Sequence, residues 1–80
     1  MKEFWVVYDY STGGVWGIAR AYSEDEVTRA FPELTVVHKK PNWMDSDGEA
    51  RTRSISSFAV DDPSTYPEWL RVLIAERASR

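Results

Sequence analysis

The sequence contains no cysteine. That excludes a disulfide framework, a thiolate zinc site and a thiol nucleophile. Long apolar runs are also missing: the longest, Phe4-Trp5-Val6-Val7-Tyr8, stops at Asp9. It is far too short to span a bilayer or to form the core of a secretory signal. The expected setting is a reducing cytoplasm with no membrane contact. Internal repeats and low-complexity segments are absent too, and there is a single histidine.

What is present fits one small folded unit. Eighty residues leave room for a single domain, 1–80. Hydrophobic residues at 42% and charged residues at 29% match ordinary globular chains and argue against disorder. Aromatic residues at 14% supply the large buried area per side chain that so short a domain needs. The net charge of −3 weighs against general nucleic-acid binding, which needs a clustered basic surface. The acidic bias lies in residues 1–33, with three basic and six acidic groups, whereas 34–60 hold Lys39, Lys40, Arg51 and Arg53 against three acids.

Residues 3–10 are rich in aromatic and β-branched types and predict a strand. Ser11-Thr12-Gly13-Gly14 reads as a four-residue turn, and Val15 to Tyr22 as the returning strand. Ser23 opens a helix with a capping box. Its hydroxyl reaches the Glu26 amide, and the Glu26 carboxylate reaches back to the Ser23 amide. Pro32 ends that helix. Leu34 to Lys40 predicts a third strand, 41–53 a long loop, and Ser54 to Val60 a fourth strand. Thr65-Tyr66-Pro67-Glu68 repeats the capping spacing before a helix with Tyr66, Trp69, Leu70, Leu73 and Ile74 on one face. The expected fold is therefore α+β, β-β-α-β-β-α. Its sheet is antiparallel and four-stranded, ordered 2-1-3-4, with two helices on one face.

Two helices shelter one side of such a sheet, yet the first strand is apolar on both. A four-residue turn sets Tyr8 opposite Gly17, Val6 opposite Ala19 and Phe4 opposite Ala21, a large-to-small face suited to helix packing. The other face then holds Trp5, Val7, Asp9, Trp16, Ile18, Arg20 and Tyr22, with Arg20 opposite Trp5 as a cation–π pair. Two occupants fit that face. One is the 41–53 segment with Trp43 and Met44, folded back as a second small core. The other is a partner protein or a second copy of the chain, since Trp, Tyr and Arg are the types enriched at binding hot spots.

Motifs for chemistry are weak. His38 stands beside two lysines, and its approach to Ser54, Ser56 or Ser57 on a neighbouring strand has no nucleophile-elbow support. Asp45-Ser46-Asp47-Gly48-Glu49 resembles a calcium loop, but in that register the first and twelfth positions are Trp43 and Ser54, which supply no carboxylate. Gly13-Gly14-Val15-Trp16-Gly17 joins two strands and lacks the Gly-Lys-Ser/Thr of a phosphate loop. No catalytic, metal or cofactor residues are assigned.

From Tyr8-Asp9-Tyr10 through Gly13-Gly14-Val15-Trp16, and again at Phe31-Pro32-Glu33-Leu34 and Pro41 to Met44, the chain resembles short bacterial proteins, chiefly actinobacterial, with no assigned activity. The resemblance implies a bacterial cytoplasmic setting and transfers no functional residue.

The reading is a non-enzymatic protein-binding module that uses Trp5, Val7, Trp16, Ile18, Arg20, Tyr22 and Trp43 to engage a partner protein or itself. A small acidic antagonist of the immunity or antitoxin type is its most concrete version. The alternative is weak single-stranded nucleic-acid binding through segment 38–53, with Lys39, Lys40, Arg51 and Arg53 around Trp43.

Overall fold

Lys2–Tyr10 forms β1 and Gly13–Ala21 its antiparallel partner β2 in a computed structural model that describes residues 1–10 and 13–79. Of the turn expected over Ser11–Gly14, Ser11 and Thr12 lie outside the described residues, whereas Gly13 and Gly14 belong to β2. The strands pair as far as Tyr10 opposite Gly13, so every pair sits two positions from the expected register. Tyr8 faces Val15, Val6 faces Gly17, Phe4 faces Ala19, and Trp5 faces Ile18 rather than Arg20. Arg20 lies opposite Glu3 instead. A shift of two leaves each side chain on its expected face, because the pleat repeats every two residues.

Glu24–Ala30 is helix α1. The Glu26 amide donates to Ser23 Oγ at 3.2 Å, while Glu26 Oε1 accepts from the Tyr22 amide at 2.7 Å, one residue earlier than the standard box. Three acids in the first turn face the positive end of the helix dipole. Leu34–Val37 then forms β3, shorter than expected, antiparallel to β1.

The next segment corrects the sequence expectation. Ser46–Ile55 is helix α2, not a loop, and β4 is only Ser57–Ala59. The helix carries the chain from one edge of the sheet to the other, so β4 pairs with β2 in parallel and the order is β3-β1-β2-β4. A fully antiparallel 2-1-3-4 sheet would need β3 and β4 joined as a hairpin, whereas a helical connection suits parallel strands. A short 3-10 turn, Pro63–Thr65, leads to helix α3, Glu68–Ala78. The expected Thr65 cap is absent. Thr65 Oγ1 instead accepts from the Ala59 amide at 2.8 Å and donates to the Asp62 carbonyl at 2.7 Å, and Pro67 begins α3 without a side-chain cap.

The helices do not share one face. Val6, Ala19, Ala21, Leu34 and Phe58 pack with Val27 and Phe31 of the α1 segment and with Leu70 and Leu73 of α3. Trp69 lies over Gly17, where a Cβ would meet its ring at 3.1 Å. α2 covers the opposite face, where Ile18 and Met44 are buried.

Among the described residues, one edge stays partly open. The Ile18 amide donates to the Ser56 carbonyl at 2.9 Å and the Val60 amide to the Arg20 carbonyl at 3.0 Å. Ile18 and Arg20 therefore direct their backbone groups outward, and by the two-residue repeat so do Gly14 and Trp16. β4 begins too late to reach those two, and the Ser56 amide bonds back to Thr52 inside the helix end.

Candidate functional site

The face roofed by α2 carries a file of three indoles. Trp5 and Trp16 meet edge-to-face at 6.5 Å, and Trp16 and Trp43 at 5.9 Å, geometries favoured by the ring quadrupole. Trp5 and Trp16 are half-buried. Trp43, in the segment leading to α2, is 70% exposed although its edge contact orients it.

Local chemistry explains why α2 forms there without an apolar stripe. Asp45 Oδ1 accepts from the Gly48 amide at 2.8 Å, Asp47 and Glu49 sit in the first turn, and Arg53 sits in the last. Arg53 donates to Glu3 of β1 at 2.7 Å and lies 3.8 Å from Glu49, while Lys40 pairs with Glu49 at 3.1 Å. The Glu3 carboxylate, as bond partner and as charge, holds the Arg53 guanidinium above its ordinary pKa. Arg20 donates to Ser57 Oγ, tying β2 to β4 on the same side.

Between α2 and the open part of β2 lies a concavity of about 450 Å³, within the usual range for ligand clefts. Val15, Trp16, Trp43, Met44 and Ile55 supply its apolar wall, and Ile55 is 65% exposed. Its charged members are Asp45, whose carboxylate caps α2, and Arg51, which has no ion-pair partner among the described residues.

The seven residues expected at a binding face are thus partly separated. Trp5, Trp16 and Trp43 form the indole file, with Val7 half-buried on the same side. Ile18 is buried beneath α2, and Arg20 is engaged with Ser57. Tyr22 is exposed at another place, a shallow dish with Asp25, Glu26, Arg29 and Asp61. Val15 and Ile55 belong to the groove without a signal in the sequence, and Arg51, expected in the basic segment 38–53, joins them there. The i, i+4 pair Glu49 and Arg53, behind an Asp cap, is the local signal that marks α2.

The basic set of the alternative reading is divided as well. Lys40 and Arg53 are spent on Glu49 and Glu3; Lys39 and Arg51 have no ion-pair partner among the described residues, and only Arg51 lines the groove with Trp43. His38 Nε2 lies 2.8 Å from Glu24 Oε1 at an exposed position. The β3 and β4 edges bound opposite sides of the sheet, so the imagined approach of His38 to a β4 serine does not arise. Among the described residues no group of three acidic or histidine side chains is placed to hold a metal ion, and no helix is long and apolar enough to cross a membrane. Comparisons with protein-family models, curated proteins and solved structures find no match to this chain.

Proposed function

We propose that this protein is a non-enzymatic binding module that engages another protein through the Trp16–Trp43 ridge and the groove beside it. The observation that carries the reading is the position of Trp43: an indole 70% exposed, yet set edge-to-face against Trp16 at 5.9 Å. An oriented aromatic presents large apolar area with little ordering left to lose on binding, the property of a hot-spot anchor. The neighbouring apolar wall and Arg51 add further residue types that interfaces favour. The coverage of Ile18 by α2 moves the docking surface from the centre of the sheet face to its rim. A small acidic antagonist in a bacterial cytoplasm remains the most concrete version, supported by size and net charge.

The test is selection of a displayed random heptapeptide library on the immobilised protein and on its Trp43→Ala variant. Sequences enriched on the wild type and lost on a variant with unchanged melting temperature support the reading. Failure of the wild type to enrich any sequence above a bare-surface control sinks it.

A further inference from the structure

Gly14 and Trp16 each aim one N–H and one C=O at the outer edge of β2, where β4 leaves off. Unpaired strand-edge groups are a template for a further strand. The chain covers the corresponding groups of Ile18 and Arg20 with its own β4 and stops there. The uncovered stretch is also the strand side of the groove, whose other side is α2. A strand edge and a helix flanking one apolar trough form the arrangement that receives an extended peptide by strand addition.

We infer that the groove takes an extended segment of a partner protein as a fifth strand beside Gly14–Trp16, in line with β4; this rests on the protein-binding reading above. The backbone of that segment pairs with the Gly14 and Trp16 groups. Because side chains alternate along a strand, those on one side of the segment enter the trough toward Trp43, Met44 and Ile55. Charge complementarity fixes a further feature of the occupant. Of the two charged groups in the trough, Asp45 is engaged by the Gly48 amide and Arg51 has no ion-pair partner among the described residues, so the segment carries a carboxylate against Arg51. A planar guanidinium binds a carboxylate through two parallel bonds, which sets register as well as adding attraction.

The inserted segment leaves a signature that side-chain docking alone does not. Peptides enriched in the display experiment are synthesised with normal amides and with alternate amides N-methylated, which keeps every side chain and removes the donors. Binding is followed on ¹⁵N-labelled protein by amide hydrogen exchange and titration. The expected result is slowed exchange at Gly14 and Trp16 on binding and at least tenfold weaker binding of one of the two alternate N-methyl series. Arg51→Glu should weaken binding at least tenfold, with recovery when the peptide's acidic residue is replaced by lysine. Equal binding of all methylated forms with unprotected Gly14 and Trp16 amides overturns strand addition while leaving the protein-binding reading intact. Absence of any enriched peptide overturns both. Concentration-dependent dimerisation that protects the same two amides without peptide assigns the edge to a second copy of the chain and also overturns the proposal.

Discussion

Gly17 occupies a point where a side chain has nowhere to go. A Cβ there would stand 2.9 Å from the Ser56 carbonyl oxygen and 3.1 Å from the Trp69 ring. The carbonyl is fixed by its bond from the Ile18 amide, and the indole by its Nε1–H donated to Ser56 Oγ at 3.2 Å. Gly17→Ala is expected to cost about 1–3 kcal/mol, the range for overpacking, seen as a lower melting temperature. An unchanged melt would mean that Trp69 yields freely. Tyr66 makes a different prediction. Its hydroxyl donates to the Val60 carbonyl at 2.6 Å, and burial, aided by Asp61 and Asp62, raises its pKa above the ordinary 10.0. The neutral form is the one the fold favours. Its contribution is complete below the unfolded pKa and disappears as pH climbs through the higher folded value. Melting temperature should therefore fall more steeply above about pH 10 in the wild type than in Tyr66→Phe. Parallel alkaline profiles for the two proteins would contradict this assignment.

At the scale of elements, α2 rests on its cap and ion pairs rather than on a buried stripe, for it contains no buried residue. Asp45→Ala should cost about 0.5–2 kcal/mol by orphaning the Gly48 amide, with the effect centred on α2 in amide exchange. Exchange rates in α2 that do not change would show that the helix is held by its neighbours alone. The same composition explains why the sequence reads as a loop there. Arg51, Thr52, Arg53 and Ser54 show no apolar periodicity, and the buried apolar side chains on either side, Met44 and Phe58, lie outside the helix. By contrast, the hairpin, the Ser23 cap of α1 and the Leu70–Leu73 stripe of α3 were legible, because each rests on local periodicity or local hydrogen bonding. Strand order was not legible. It follows from where α2 delivers a three-residue strand, a non-local outcome with no mark in Ser57–Ala59 itself. The indole pairs could be anticipated only as members of one face; their union with Val15, Arg51 and Ile55 required the crossover.

For the whole molecule, Phe58 is the point where separate elements converge. It is fully buried in β4 and meets Phe31 at 5.9 Å, Tyr66 at 5.8 Å and Trp69 at 6.1 Å, all edge-to-face. Phe58→Ala should cost about 3–5 kcal/mol. Stability of roughly 0.05–0.15 kcal/mol per residue gives a chain of this length roughly 4–12 kcal/mol in total. The variant should therefore unfold at markedly lower urea, and a midpoint close to wild type would show that the aromatic junction relaxes around the void. Arg77 closes the same side by donating to Glu33 at 2.8 Å and 2.5 Å and to the Ala30 carbonyl at 3.3 Å, so α3 is tied to the end of α1 as well as to β4.

The distribution of indoles across the sheet gives the molecule two built-in optical reporters. Trp5, Trp16 and Trp43 lie with α2 on one side, while Trp69, stacked on Tyr8 at 6.5 Å, lies with α3 on the other. Replacing either group with phenylalanine leaves emission that watches a single roof, so paired denaturation curves would reveal whether the two coverings lift together or in succession.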